Sequence, residues 1–201
     1  MPFPHIYLAS RSPRRRELLA QIGVSYQMLL LREHPERGAD VNEDPLPGEL
    51  PEVYVRRVCA LKVASAWRRI TERKLPPLPV LAADTTVYVG DEILAKPADD
   101  ADAARMLRLL SGREHRVLSA VALQSGDRRL LALNDSQVRF RELADAEISA
   151  YIASGEPTGK AGAYGIQGRA AAFITTLRGS YSGVMGLPLF ETAELLREIQ
   201  S

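Results

Sequence analysis

The chain has 201 residues, 46% hydrophobic and 25% charged, with a formal charge of +1. That is enough for one domain with a full core or for two small lobes, and a molecule so near neutrality is no general attractor of polyanions, so any anion site must be local. A single cysteine, Cys59, admits no internal disulfide. The start MPFPHIYLAS lacks a signal-peptide pattern, and no apolar run approaches membrane-spanning length, so the expectation is a cytoplasmic protein.

In chain order, Ile6 to Ala9 predicts a short strand. Ser12 offers an N-cap oxygen and Pro13 suits the first helical position. Leu18, Leu19 and Ile22 share one face of the helix that Gly23 ends. Arg11, Arg14, Arg15 and Arg16 therefore crowd a strand-to-helix turn, where free backbone N–H groups and the helix dipole favour a phosphate; the alternative is a solvated basic face. A strand over 26–31 and a polar loop from Glu33 to Pro51 follow. Glu52 to Ile70 reads as a long helix with Val55, Cys59, Lys62 and Ala66 on one side. Taken by itself, Lys62 on that stripe reads as a lysine that snorkels to water.

After the break at PPLP, VLAADTTVYV over 80–89 is a strong strand signal, and GDE turns it into a hairpin with Ile93 and Leu94. An amphipathic helix over 101–110, strands over 115–124 and 130–140, and a helix over 144–154 come next. GAYGIQG and AAAFITTL read as turn and strand, and 188–199 as the last helix. Alternating strands and helices without repeats predict a mixed α/β domain over 1–201, a twisted sheet flanked by helices. Two lobes around a cleft are compatible with it, the termini and the 144–154 helix making the second.

Asp84 stands out because a carboxylate inside an apolar strand costs desolvation energy unless partnered. It is a candidate general base or metal ligand, set against an aspartate that merely caps a turn at a strand end. Lys96, in ILAKPAD, reads locally as a solvated loop lysine, and Glu43 as one acid among many in DVNEDPLPGE. Gln167 lies among glycines that let backbone approach a ligand closely. His5, His34 and His115 lack metal-ligand spacing, no GxxxxGK[ST] or GxSxG occurs, and Cys59 reads as core. The basic turn lacks the aromatic interleaving of a single-strand nucleic-acid site.

Six stretches in order, SRSPRRRELL from Ser10, ADTTV from Ala83, ILAKP from Ile93, MLRLLSGREHRVLSAVAL from Met106, KAGAYGIQG from Lys160 and GSYSGVMGLPLFET from Gly179, resemble the Maf family of nucleoside triphosphate pyrophosphatases over nearly the whole chain. The resemblance implies a Maf/ITPase-like α/β fold and hydrolysis between the α and β phosphates with a divalent cation, Mg²⁺ or Mn²⁺. It places Asp84 on the proton acceptor, with Asp84 and Glu43 toward the metal. Arg14, Thr85 and Gln167 fall on substrate-choice positions, and Ser10, Arg15, Lys62 and Lys96 on phosphate-holding positions, which overrides the snorkelling reading of Lys62.

The GSYSGVMGLPLFET and AYGIQG segments look like the branch that takes dTTP and UTP; a sister branch preferring 7-methyl-GTP carries Gln at the place of Thr85 and Glu at that of Gln167. The partners implied are pyrimidine nucleoside triphosphates, without nucleic acid or membrane, and a homodimer is compatible with the pattern. A nucleotide-binding regulator of septum formation that does not hydrolyse is the alternative, and the retained Asp84 and Lys96 argue against it. Three positions depart from the family pattern: Arg11 and Ala95, where glycine is common, and Gly159, where aspartate is usual.

Overall fold

The run VLAADTTVYV forms the strand its pattern predicts, β3 (Val80–Val89), and the sheet is built outward from it. The computed structural model describes residues 3–32 and 39–200; residues 33–38, with His34 and the start of the expected polar loop, lie outside the described residues. On one edge, β3 pairs along its length with β5 (Glu114–Ser125), which pairs with β6 (Arg128–Phe140), which pairs with β7 (Ile174–Arg178), all antiparallel. On the other edge β3 meets β1 (Ile6–Leu8) in parallel, and β1 meets β2 (Tyr26–Met28) in parallel. The short β4 (Glu92–Leu94) folds back on the end of β3. The expected mixed sheet is thus a seven-stranded one in the order β2-β1-β3-β5-β6-β7, with β4 beside β3.

Side-chain alternation along β3 assigns its two faces. Val80 and Ala82 pack against Val55, Val58, Cys59, Val63 and Ala66 of α2 (Pro51–Glu72). Leu81 and Ala83 point the other way, toward Leu18 and Leu19 of α1 (Pro13–Gln21) and Leu195 and Leu196 of α6 (Leu189–Glu198). A third cluster lies beyond them, where α3 (Asp100–Leu110) and α4 (Asp145–Ala153) cover Val87, Val117, Val138 and Phe140. The 145–153 helix and the termini therefore do not form a common lobe. The α4 helix sits with α3 in the third cluster, while β1, α1 and α6 pack together in the second, because the apolar faces they bury belong to different stretches of the same sheet.

Three further expectations are corrected. β2 stops at Met28 rather than continuing to Leu31, because side chains take over the carbonyls a neighbouring strand would use: Arg69 Nη1 donates to Leu30 O at 2.7 Å and Arg11 Nη2 to Leu31 O at 3.4 Å. AAAF is not strand but part of a 3₁₀ turn, Arg169–Phe173, since the Glu156 carboxylate accepts the Arg169 N–H at 2.9 Å. The GSYSGVMG segment contains an unexpected helix, α5 (Tyr181–Met185), in which Ser180 Oγ accepts the Gly183 N–H at 2.9 Å. Five residues are too few to show a helical period.

Candidate functional site

The cleft follows from the strand ends. β1 stops opposite Leu81, and β4 joins β3 only at Val87, so residues 82–86 have no strand partner on that edge among the described residues. Ligands of α/β sheets bind at such carboxyl ends. A cleft of about 1110 Å³ opens there, and Ser10, Arg14, Arg15, Glu43, Lys62, Asp84, Thr85, Lys96 and Gln167 all line it. Nine positions spread over 158 residues of chain are thereby brought to one place. Asp84 sits in mid-strand and caps no turn.

Asp84 lies on the face of β3 that carries Val80 and Ala82, and so faces α2. There Lys62 Nζ sits 2.7 Å from Asp84 Oδ1 and 2.8 Å from Glu43 Oε2. Lys62 does not reach solvent: its side chain is only 12% exposed and is held between two carboxylates. Burial pushes its amine down, but the charges of Asp84 and Glu43 outweigh burial and hold it above its ordinary value, so it stays protonated. Burial likewise pushes Glu43 up, and Lys62, with Lys96 and Arg15 further off, pulls it below the usual carboxylate range.

Two residues not marked in the sequence put Glu43 there. Tyr54 Oη donates to Glu43 O at 2.9 Å, and Arg57 Nη2 donates to Asp44 O at 3.0 Å. Beneath this wall Cys59 is buried and its thiol is pushed up to about 12 by burial and the Asp84 charge, which suits core packing and not a nucleophile.

Thr85 points to the opposite face, where α1 begins. Ser12 Oγ accepts the Arg15 N–H at 3.5 Å, as a cap residue should. The four arginines then separate: Arg11 and Arg16 are exposed, while Arg14 and Arg15 are half-buried. Arg15 donates from Nε to Gly186 O at 2.7 Å, from Nη1 to Ser10 Oγ at 3.2 Å and from Nη2 to Thr85 Oγ1 at 3.4 Å. Arg14 Nε donates to Met185 O at 3.2 Å. The α5 turn presents those carbonyls because Gly186 adopts φ +117°, where a side chain would be strained. Burial lowers both guanidinium values, yet with neutral acceptors around them both keep their charge. Thr85 Oγ1 also shares a 2.9 Å hydrogen bond with Ser119 Oγ, which donates to Gly183 O at 2.6 Å.

The third side is the loop over 156–168. Lys160, not among the candidate site residues of the sequence, lines the cleft with Gln167. Its only sequence signal was its place at the head of KAGAYGIQG. Lys96 enters from the loop after β4 and is exposed; the Ala95 carbonyl beside it accepts the Gly162 N–H at 3.2 Å. Gly159, where the family usually has aspartate, has φ +70° and open space around it, and nothing in the structure explains the departure. Among the described residues no group of three or more His, Cys, Asp and Glu could hold a metal ion. His115 is instead buried with Nε2 2.9 Å from Tyr164 Oη, and burial pushes its value down to about 3.

A mixed sheet with a cation-lined cleft at the carboxyl end of a parallel strand defines an α/β protein built to receive an anionic ligand. The comparisons narrow that class. Residues 5–199 match the family model described as Maf-like protein, and the chain belongs to the Maf family. It is 61% identical to a dTTP/UTP pyrophosphatase of Ralstonia nicotianae, over 98% of this chain and 95% of that one. It is 58% identical to one of Cupriavidus pinatubonensis, over 96% of each chain, and 57% identical to one of Nitrosomonas europaea, over 96% and 93%. Among solved structures, the Staphylococcus aureus Ham1 protein aligns with 70% of this chain and 72% of its own at 18% identity and a TM-score of 0.42. No helix among the described residues is long and apolar enough to cross a membrane.

Proposed function

We propose that this protein hydrolyses dTTP and UTP to the monophosphate and pyrophosphate, acting on the nucleotide pool of the cytoplasm. One observation carries the reading: a buried carboxylate held by Lys62 and two half-buried guanidinium groups on neutral acceptors line a single cleft, in a chain 61% identical to a protein of that activity. Arg14, Arg15 and Lys96 receive the β and γ phosphates and neutralise the charge that builds on them as pyrophosphate leaves. Asp84 accepts the proton of the water that attacks the α-phosphorus. The new bond forms from the water oxygen to that phosphorus as the bond from phosphorus to the α–β bridging oxygen breaks.

Lys62 fixes the Asp84 carboxylate and keeps Glu43 beside it. Those two carboxylates are an all-oxygen donor set of the kind that hard cations share with substrate phosphates and water. Asp84 and Glu43 are therefore the residues that would hold Mg²⁺ or Mn²⁺, and a bound ion supplies charge neutralisation at the phosphates. Gln167 reads the base: its amide both donates and accepts, as the imide edge of uracil or thymine requires.

Release of pyrophosphate from dTTP, UTP, CTP, GTP and 7-methyl-GTP with Mg²⁺ or Mn²⁺ tests the reading. Turnover of dTTP and UTP ahead of the others is the expected result. A purine preference, or binding without turnover, overturns it.

A further inference from the structure

Lys160 has no task in that mechanism, yet it is built into the site. Its stem runs past Gly165, where a Cβ atom would lie 3.1 Å from Lys160 Cε and 3.3 Å from Gln167 Oε1. The missing side chain at 165 thus leaves a space that the lysine stem and the glutamine amide both border. A single residue anchors both. The Glu156 carbonyl accepts from Lys160 Nζ, and the Glu156 carboxylate accepts the Arg169 N–H, two residues after Gln167, at 2.9 Å. A Cβ at Gly168 would collide with that carboxylate. Tyr151 Oη holds the same carboxylate at 2.9 Å, and Tyr164, between the two cleft residues, is tied to His115 in the core. The backbone that carries Lys160 and Gln167 is therefore fixed by the fold. Burial and the Arg14 charge push the Lys160 amine below its ordinary value.

We infer that Lys160 is a specificity-determining residue that acts beside Gln167, donating to the 4-carbonyl of the pyrimidine and so selecting uracil and thymine over cytosine. The inference rests on the pyrimidine reading above and adds what Gln167 alone does not supply. The imide edge presents acceptor, donor and acceptor, whereas one amide satisfies only two of the three. A glutamine amide can also turn over, exchanging donor for acceptor, and then suits part of the cytosine edge as well. An amine cannot turn over. Lys160 has donors to spare beyond the one given to Glu156 and no acceptor in its ammonium form. Facing the 4-carbonyl it completes the edge; facing the cytosine 4-amino group it sets donor against donor, and such mismatches in a polar site discriminate strongly.

The test is kcat/KM of the full chain on UTP, dTTP and CTP for the wild type, Lys160→Met and Lys160→Gln. Lys160→Met is expected to lose about tenfold to a hundredfold on UTP and dTTP, the size of one unpaired polar contact, while CTP, relieved of the donor-against-donor mismatch, does not fall. Lys160→Gln, able to accept, is expected to gain on CTP relative to UTP. A parallel loss on all three substrates marks a phosphate-binding or structural lysine and overturns the inference, as does an unchanged UTP-to-CTP ratio. A measurement on the wild type alone keeps the test open if the variants do not fold. With 4-thio-UTP, whose sulfur is a weak acceptor, kcat/KM is expected to fall about tenfold below UTP; equal values overturn the role of Lys160. A wild type that ignores UTP and dTTP removes the substrate reading itself. One that turns them over beside variants with an unaltered ratio removes only Lys160.

Discussion

The two faces of β3 present two walls that handle charge in opposite ways. On the Asp84 face a buried cation is compensated: Lys62 meets Asp84 and Glu43, and the three groups hold one another. On the Thr85 face the cations form no direct ion pair among the described residues: Arg14 and Arg15 bond to carbonyl and hydroxyl oxygens, and Asp84 and Glu43 act on Arg15 only from a distance. Neutral acceptors orient a guanidinium without cancelling its charge. The first wall is thus suited to hold a carboxylate in place for proton transfer, and the second to attract phosphate. Two consecutive residues, Asp84 and Thr85, supply both walls because neighbours on a strand face opposite ways.

The two walls separate most clearly when the compensating cation is removed. Lys62→Met leaves Asp84 and Glu43 facing each other without a partner and is expected to destabilise the fold by about 3 kcal/mol. Arg15→Met strands no buried charge and is expected to cost about 1 kcal/mol. Urea unfolding of both variants checks the difference, and equal losses would mean that the two walls do not differ in charge compensation. Next comes Asp84→Asn, which keeps the shape of the first wall. Turnover should drop by about 10²-fold or more while nucleotide binding survives. Near wild-type turnover in a folded variant takes Asp84 out of the mechanism.

A change at Gln167 alone should leave both walls intact, whereas one at Thr85 also alters the second wall, where Thr85 Oγ1 accepts from Arg15. Gln167→Glu gives an acceptor-only group and is expected to lower dTTP and UTP hydrolysis by roughly tenfold to a hundredfold. Adding Thr85→Gln should move preference toward 7-methyl-GTP, read as kcat/KM on the same nucleotides. On the second wall, Arg14→Ala or Arg15→Ala should weaken triphosphates by about tenfold, more than monophosphates, as expected for one charge-assisted contact. Arg11→Ala and Arg16→Ala, at exposed positions, should do less. Equal losses at all four would indicate a diffuse basic face.

The smallest effect is a pH dependence confined to the first wall. Glu43 in the folded protein lies below its ordinary value of 4.5, so the unfolded chain binds its proton first as pH falls. Its contribution is complete above about 4.5 and is lost as pH drops through the lower folded value. Melting temperature between neutral and acid pH should fall less in Lys62→Met than in the wild type, because the charge that does most to depress Glu43 has gone and only Lys96 and Arg15, further off, remain. The Thr85-face arginines hold their charge across that range and should add no such limb.

Much of this was legible in the sequence wherever the physics is local. The apolar, β-branched run VLAADTTVYV specified β3 from end to end, Ser12 and Pro13 specified the start of α1, and an aspartate in an apolar strand marked itself by its desolvation cost. Local patterns reach three or four residues, the span of a helical turn or a cap. Local pattern therefore identified a basic turn without deciding which of its arginines turn inward, and the family resemblance singled out Arg14 and Arg15 without giving a physical reason. The tertiary structure supplied that reason, because the acceptors Met185 O and Gly186 O lie 171 residues further along the chain, at the end of a five-residue helix too short to show a period. It also decided the fate of Lys62. On the helical stripe it reads as a snorkelling lysine, and its two carboxylates arrive from a strand and from a loop tied down by Tyr54 and Arg57. Charge compensation is a property of what meets across the fold, and no spacing along α2 encodes it.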